Sequence, residues 1–169
     1  MRAKRFIAAI VLAAIAAVGF APLANAVTRP TTAQKYQLQY LIEEEKLARD
    51  VYLYLAENVT SSKFANIAKS EQTHMDQIAV ILKTYNFFNP TLKRAPGVFR
   101  DKSLQALYNQ LIEQGSADVA AAFQVGRDIE NLDIKDIKVM LKATMPADMK
   151  LALNNLLKGS INHLAAFSR

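Results

Sequence analysis

Glu71 and His74 stand three residues apart in a stretch, residues 64–82, whose apolar positions follow a helical period. The apolar side chains recur at spacings of three and four and form one stripe of a helix: Phe64, Ile67, Ala68, Met75, Ile78 and Leu82. Glu71 and His74 fall inside that stripe, so both project toward a core. A carboxylate aimed at a core is costly unless a cation meets it. The spacing therefore indicates a metal ion or a basic partner beside these residues, and we favour the metal.

An inward glutamate is also predicted on the first helix. Glu45 lies on the apolar face of a helix predicted over residues 32–58. An ion pair with Arg49, four residues further on, is the alternative to a metal for this carboxylate. The neighbouring Glu43 and Glu44 are typical of a solvated run of charges.

The last two predicted helices each add an inward polar residue, Glu130 and His163. Asp133 is either a further inward carboxylate or the cap of a helix that continues after a bend near residues 131–133. The chain has two histidines, and both fall on core stripes. Helical bundles build carboxylate-bridged di-metal sites from inward glutamates and Glu-x-x-His pairs. The predicted ligands are therefore Glu45, Glu71, His74, Glu130 and His163.

The chain contains no cysteine, which excludes disulfides, thiolate ligands and cysteine catalysis. Oxygen and nitrogen ligands suit iron, manganese or zinc, and we expect one or two ions. Neutral imidazoles complete each ion while leaving positions open for oxygen or peroxide.

The elements that position these residues are all helical, since no stretch shows strand-like alternation. After the first helix we expect a second helix to about Tyr85 and then an irregular connection over residues 86–101. A short helix should follow from about Ser103 to Gln114, capped by Gly115. A third long helix should begin near Ala117, and a last helix should run from Pro146 to about Phe167. The third long helix is expected to turn Val119, Phe123, Gly126 and Glu130 inward. The pattern predicts an all-α four-helix bundle with one long crossover that contains a short extra helix.

Two glycines inside predicted helices bear on the site. Gly126 stands four residues before Glu130, and Gly159 four residues before His163. A glycine in a helix interior costs about 1 kcal/mol relative to alanine. A close approach of another group to the backbone would explain that cost, and a bend or a chance residue is the alternative.

The first 26 residues have the features of a secretory signal peptide. A basic start precedes an apolar run of fifteen residues, 6–20, and Ala24-Asn25-Ala26 forms a cleavage signal. The run is shorter than the roughly 20 residues of a spanning helix, so we expect cleavage after Ala26 and no lasting membrane anchor. Residues 27–31 would be a tether and residues 32–169 the bundle domain of a periplasmic or secreted protein.

The charge gives no case for nucleic-acid binding. Removal of three basic residues with the signal peptide lowers the formal charge from +6 to +3. The remaining lysines and arginines form no cluster that would follow a phosphate backbone.

The motifs around these ligands resemble the ferritin-like superfamily, and rubrerythrins in particular. Residues 45–52 are similar to their E-x-x-A-R-x-x-Y segment, and residues 64–74 to their F-x-x-I-A-x-x-E-x-x-H segment. The segments EEEKLARDVY, SEQTHM and NLLKGSINHL resemble an exported bacterial ferritin-like family labelled as a domain of unknown function. The resemblance implies a ferritin-like fold, a metal site, and oxidase or peroxidase chemistry.

The sequence departs from that pattern on the last helix. Where Glu-x-x-His is expected, Ser160 precedes His163 by three residues, so one bridging carboxylate is missing. The cysteine module of rubrerythrins is absent as well. The second hypothesis is therefore a non-enzymatic helical interaction module that has lost the metal. In that case Glu71 and His74 would pair with each other or with Arg49 and Arg127, and the Tyr52 hydroxyl would form a hydrogen bond within the core.

Overall fold

A computed structural model describes residues 29–169 as five α-helices joined by turns and one long connection. The helices are α1 (Thr32–Asn58), α2 (Ser62–Thr84), α3 (Lys102–Gly115), α4 (Val119–Met140) and α5 (Ala147–Phe167). No strand occurs among these residues, which confirms the predicted all-α class. Within the same residues, no helix is long and apolar enough to cross a membrane. The expected signal peptide, residues 1–26, lies outside the described part of the chain.

Polar side chains cap the starts of α1, α2 and α4, whereas α5 begins after Pro146 without a side-chain cap. The Thr31 hydroxyl accepts a hydrogen bond from the N–H of Gln34, whose side chain accepts one from the N–H of Thr31. Asp118 accepts from the N–H of Ala121 at 2.8 Å and begins α4 in the same way. These caps satisfy N–H groups that have no partner within the helix. The predicted start of α1 at residue 32 is confirmed.

The four long helices form a ring in the order α1, α2, α5, α4. The backbone of each lies close to those of its two neighbours in the ring. The diagonal pairs α1/α5 and α2/α4 meet through side chains at the centre, such as the rings of Tyr52 and Phe167. Short turns join α1 to α2 and α4 to α5, so each pair is an antiparallel hairpin. The connection between the hairpins includes α3, which packs on α1 and α4. This arrangement is the predicted bundle with one long crossover.

Two apolar clusters fill the bundle on either side of a polar layer. The first is built around the aromatic rings of Tyr52, Phe64 and Phe167, and the second around Leu38, Ile78 and Leu153. The rings of Tyr52 and Phe167 lie 5.2 Å apart between centroids. Because apolar side chains close the bundle at both ends, the polar layer between them is buried, and a polar atom left unpaired in it is costly.

Buried charges fasten the crossover to α1. Lys46 pairs with Asp50 and donates to the carbonyl of Ala95 at 2.9 Å. Glu43 accepts a hydrogen bond from the N–H of Asp101 at 3.2 Å. Glu43 is 3% exposed, so the expectation that it belongs to a solvated charge run is wrong. The connection packs over it and supplies its partners.

The helix α4 is continuous, so the expected bend near residues 131–133 is wrong, as are the inward position of Val119 and the cap at Gly115. Of the two alternatives for Asp133, the inward carboxylate is the one observed. Residues 131–133 lie inside the helix, and Asp133 is buried rather than a cap. No proline or glycine in this stretch interrupts the backbone hydrogen bonds, so nothing produces a bend. Val119 is 56% exposed because the helix begins there and its first turn lies outside the core. Gly115 is the last residue of α3, and Ser116 caps it.

Candidate metal centre

The five predicted ligands meet in the polar layer from all four long helices. Glu45 comes from α1, Glu71 and His74 from α2, Glu130 from α4 and His163 from α5. The three glutamates are 0% exposed, and the two histidines are 4% and 9% exposed. The helical spacing of the sequence therefore identified residues that the fold brings together at depth.

Glu45, Glu71 and His74 form the first group. The Nδ1 atom of His74 lies 2.7 Å from Oε2 of Glu71 and 3.0 Å from Oε2 of Glu45. The donor atoms of these residues all lie within 4.8 Å of one another. Two carboxylates and one imidazole that converge at this distance match the donor types of a transition-metal site.

Glu71, Glu130 and His163 form the second group. The Nδ1 atom of His163 lies 2.7 Å from Oε1 of Glu71 and 3.6 Å from Oε2 of Glu130. The donor atoms of this group also lie within 4.8 Å of one another. It is the looser of the two groups, because its longer contact is 3.6 Å and that of the first is 3.0 Å. Glu71 belongs to both groups and turns one oxygen toward each histidine. The two groups are therefore joined through a single carboxylate.

The two imidazole rings are held so that Nδ1 points into the layer. They stack with centroids 5.5 Å apart and planes 30° from parallel. The outer nitrogen of His163, Nε2, lies 2.9 Å from the hydroxyl of Ser70. The outer nitrogen of His74 lies against Gly159, where an added Cβ would stand 2.3 Å from Nε2. The close approach expected at Gly159 is therefore present, and it is made by a candidate ligand.

Glu130 is positioned by Tyr52, which is fully buried. The Tyr52 hydroxyl donates to Oε1 of Glu130 at 2.7 Å and lies 3.3 Å from the carbonyl of Gly126. A Cβ on Gly126 would stand 2.8 Å from the ring of Phe167. The second interior glycine therefore also admits a close neighbour, here an aromatic ring that packs beside Tyr52.

Seven buried polar atoms near the polar layer have no hydrogen-bond partner: Oε1 of Glu44 and Glu45, both oxygens of Glu71, Oε2 of Glu130, Oδ2 of Asp133 and Nδ1 of His163. Both oxygens of Glu71 are 2.7 Å from an imidazole nitrogen, yet neither contact has hydrogen-bond geometry. Buried polar atoms are rarely left unpaired, because each one costs the free energy of its desolvation. The unpaired atoms of Glu45, Glu71, Glu130 and His163 converge and fit an ion between them.

The electrostatics of the layer show an excess of negative charge. Burial would raise the pKa of Glu71, but contacts with His163 and His74 outweigh it and lower that pKa to about 2. Burial would lower the pKa of His74, but Glu45 and Glu71 raise it to about 10. Burial raises the pKa of Glu45 to about 8. Burial and the nearby glutamates raise the pKa of Asp133 well above its ordinary value.

Lysine and arginine do not neutralise this charge among residues 29–169. Arg49 pairs with Asp50, and Arg127 donates to the carbonyl of Phe167 and to Gln124. The pairings of Glu45 with Arg49, and of Glu71 or His74 with Arg49 and Arg127, are therefore wrong. The two histidines are the remaining cationic groups in contact with the carboxylates of the layer.

Ser160 faces the interior but does not replace a ligand. It is 0% exposed, and its hydroxyl donates to the carbonyl of Leu156 at 3.2 Å. The carboxylate that the ferritin-like pattern expects at this position is absent from the layer. The second group consequently has one carboxylate fewer than that pattern provides.

The sequence does not predict two of the residues around the site, and it predicts a third, Asp133, only as one of two alternatives. Glu44 is 2% exposed, although its run of charges is typical of solvent-exposed residues. The spacing of three between Glu130 and Asp133 is the signal that both share a helix face. Ser70 on α2 contacts His163 on the neighbouring helix α5, and no local pattern in the sequence predicts a contact between residues 93 positions apart.

Comparison with known proteins places the chain in a family. A family model described as an uncharacterised protein domain, DUF2202, matches residues 34–169. The match includes both groups of candidate ligands. The chain belongs to the DUF2202 family. Within this DUF2202 chain the matched segment extends from the first turn of α1 to the end of α5 and thus covers the whole bundle.

A relative of this DUF2202 protein has a solved structure. The chain is 43% identical over 136 residues to the uncharacterised protein MJ0754 of Methanocaldococcus jannaschii. The aligned segment covers 80% of this chain and 74% of the relative. The crystal structure of hypothetical protein MJ0754 from Methanococcus jannaschii matches with a TM-score of 0.80 at 42% identity, over 82% of this chain and 79% of that one. The helical fold described for this chain is therefore similar to one observed in a crystal.

Proposed function

We propose that this chain is a ferritin-like metal-binding protein whose bundle holds one or two transition-metal ions. The ligands are Glu45, Glu71, His74, Glu130 and His163. One observation carries the proposal: each oxygen of Glu71 lies 2.7 Å from Nδ1 of a different histidine, and neither oxygen forms a hydrogen bond. A buried carboxylate in that position is suited to serve two ions at once.

The donor set supports iron, with manganese or zinc as alternatives. All donors are carboxylate oxygens and imidazole nitrogens, which these ions accept. The first group is the more compact, because its longer contact is 3.0 Å whereas that of the second is 3.6 Å. The second group also has Ser160 where the ferritin-like pattern has a further carboxylate. We therefore expect the first group to bind its ion more tightly.

Bound iron would supply redox chemistry toward oxygen or peroxide. The chain's own residues would hold the site in place for such chemistry. Tyr52 fixes Glu130 through a hydrogen bond of 2.7 Å, and Ser70 fixes the outer nitrogen of His163 at 2.9 Å. Partners of this kind set the orientation of ligands and raise their affinity for a metal. The two apolar clusters exclude bulk water from both sides of the layer.

Two further parts of the proposal concern relationship and location. The ferritin-like relationship is supported by the motifs at residues 45–52 and 64–74 and by a bundle with one long crossover. Export to the periplasm or beyond is supported by the signal-peptide features of residues 1–26. The intact mass of the exported protein tests the second point: a chain that begins at Val27 agrees with it, and one that retains residues 1–26 contradicts it.

A helical interaction module without metal is the second candidate, and two contacts favour it. Glu71 contacts both histidines, which as cations would neutralise part of the acidic charge. The Tyr52 hydroxyl forms its hydrogen bond inside the core, as that hypothesis expects. The layer holds four buried carboxylates, from Glu45, Glu71, Glu130 and Asp133, so two histidines leave two carboxylates in excess, and a metal removes that excess.

Metal analysis of the protein as isolated separates the two functions. The chain is purified from the periplasm without added metal or chelator and its metals are measured per chain. We expect close to one ion or more. A content below about one tenth of an ion per chain, together with failure to bind added Fe²⁺ or Co²⁺, contradicts the metal-binding function and supports the interaction module.

A further inference from the structure

A surface pocket opens between α1 and α4, beside the candidate metal centre. It has a volume of about 360 Å³ and is lined by Tyr36, Gln37, Tyr40, Glu44, Asp136, Val139 and Met140. Tyr36 and Val139 are 62% and 50% exposed at its rim, whereas Glu44 is 2% exposed. The pocket therefore extends from solvent to a buried carboxylate.

Carboxylates continue from this pocket to the centre. On α4, Asp136, Asp133 and Glu130 recur every three residues, and their burial increases from partial at Asp136 to complete at Glu130. Residues at this spacing lie on one face of a helix. On α1, Glu44 directly precedes the ligand Glu45. Two neighbouring helices thus supply acidic side chains at successive depths.

Two oxygens along this line have no hydrogen-bond partner. They are Oε1 of Glu44 and Oδ2 of Asp133, on residues that are 2% and 1% exposed. Neither residue is among the five ligands, so the metal centre does not account for them. Both residues are suited to hold a cation briefly.

We propose that this pocket and the carboxylates of Glu44, Asp133 and Asp136 form the passage by which divalent metal ions reach the buried centre. The inference rests on the proposed metal-binding function. A divalent ion pays a large cost when it leaves water in a single step. Carboxylate oxygens at successive depths replace its water molecules one after another and spread that cost along the route.

The larger neighbouring pocket is a poorer route for a cation. It has a volume of about 640 Å³, and its charged lining residues are Lys35, Arg100, Glu43 and Asp101. The two positive side chains offset its two carboxylates, whereas the pocket that contains Glu44 is lined by acidic and no basic side chains. Its buried carboxylate, Glu43, already accepts hydrogen bonds from the backbone of the crossover. Charge therefore favours the pocket that contains Glu44.

The rate of metal loading tests the passage. Metal-free protein is mixed with Co²⁺ in a stopped-flow instrument, and binding is followed by the visible absorption of the coordinated ion. Clefts of one charge raise association rates by roughly 10- to 1,000-fold, so Glu44→Gln and Asp136→Asn should each slow loading by about tenfold or more. Because a passage acts on entering and leaving ions alike, dissociation should slow by the same factor. The equilibrium dissociation constant should therefore stay within about twofold.

Two further variants complete the experiment. Asp128→Asn removes one charge from the exposed side of α4 and should load at the wild-type rate. Val139→Trp narrows the rim of the pocket without a change of charge and should slow loading. Unchanged loading rates in Glu44→Gln, Asp136→Asn and Val139→Trp would overturn the passage and leave the metal site standing. Weakened equilibrium binding at an unchanged association rate would make Glu44 a ligand and overturn the passage as well. A wild-type chain that binds no Co²⁺ would overturn both proposals.

Discussion

Glu71 on α2 and His163 on α5 approach to 2.7 Å between Oε1 and Nδ1. The other oxygen of Glu71 lies equally close to His74 on its own helix. One carboxylate therefore joins two groups of donors and connects the two helical hairpins of the bundle. Anything that neutralises or displaces Glu71 should act on both groups, and this makes it the residue on which the proposed function depends.

Metal removal should destabilise the wild-type protein. A ligand that binds only the native state adds roughly 2.7 kcal/mol at a hundredfold excess over its dissociation constant, which corresponds to a shift of roughly 5–10 °C in Tm for a domain of this size. We expect a chelator to lower the Tm of the wild type by this amount and to leave the double variant Glu71→Ala/His74→Ala unchanged. Scanning calorimetry of the wild type and the double variant, each with and without chelator, measures the four Tm values. An unchanged wild-type Tm after verified metal removal would support the interaction module.

The stability of the metal-free protein should fall as the pH rises above neutrality. The folded pKa values of His74 and His163, about 10 and about 9, exceed the ordinary value of 6.5, and the folded pKa of Glu45, about 8, exceeds 4.5. A group with a raised pKa contributes stability that is complete below its unfolded pKa and is lost as the pH rises through its folded pKa.

Urea melts in the presence of a chelator at pH 6.5 and pH 9.5 measure that loss, since this interval includes the raised pKa values of Glu45 and His163 and approaches that of His74. Saturating metal is the control, because a metal displaces these protons and its binding strengthens as pH rises. The metal-free protein should be less stable at the higher pH and the loaded protein should not. Equal stability of the metal-free protein at both values would contradict the contacts assigned to the histidines.

Gly159→Ala should disturb the first group of ligands. The new methyl group would meet Nε2 of His74 at 2.3 Å, so the ring must move. Overpacking of this kind costs about 1–3 kcal/mol, whereas alanine would otherwise stabilise a helix interior by about 1 kcal/mol. Urea melts and a Co²⁺ titration should show lower stability and weaker binding. Lys158→Ala, on the exposed side of the same helix, is the matched control and should show neither effect.

Ser160→Glu should complete the second group. Ser160 is fully buried and precedes His163 by three residues, so a glutamate there would add the missing carboxylate. We expect bound metal to rise toward two ions per chain, with little loss of stability in the loaded protein. Metal analysis and a denaturant melt measure both quantities. A strongly destabilised variant with no additional metal would show that the new carboxylate is unpaired and that the second group is not a metal site.

The convergence of the candidate ligands could be predicted from the sequence because it depends on local spacing. Glu71 and His74 share a helix face through their separation of three, and the caps at Thr31 and Asp118 place the helix starts by contacts within one turn. These features need no knowledge of other elements. Periodicity also assigned Glu45 to the apolar face of its helix, between residues that pack in the two clusters.

What the sequence did not show depends on elements that are distant along the chain. Glu43 is buried because the crossover supplies a backbone N–H from 58 positions away. Glu44 is buried beside Asp136 of α4. Without knowledge of α4, the run of glutamates at residues 43–45 is typical of a solvent-exposed surface. The helix α4 continues through residues 131–133 because nothing interrupts its backbone hydrogen bonds. The sequence alone does not show this, because an aspartate such as Asp133 can also cap a new helix.

The most direct test of the account is the metal stoichiometry of Glu71→Ala. Metal-free wild type, Glu71→Ala and Glu130→Ala are titrated anaerobically with Fe²⁺, and Glu57→Ala serves as an exposed control on α1. Because Glu71 belongs to both groups, its loss should abolish tight binding at both. Glu130→Ala should retain the ion of the first group, and Glu57→Ala should match the wild type. If Glu71→Ala binds as much Fe²⁺ as the wild type and as tightly, the shared carboxylate is not a ligand and the proposed metal centre is wrong.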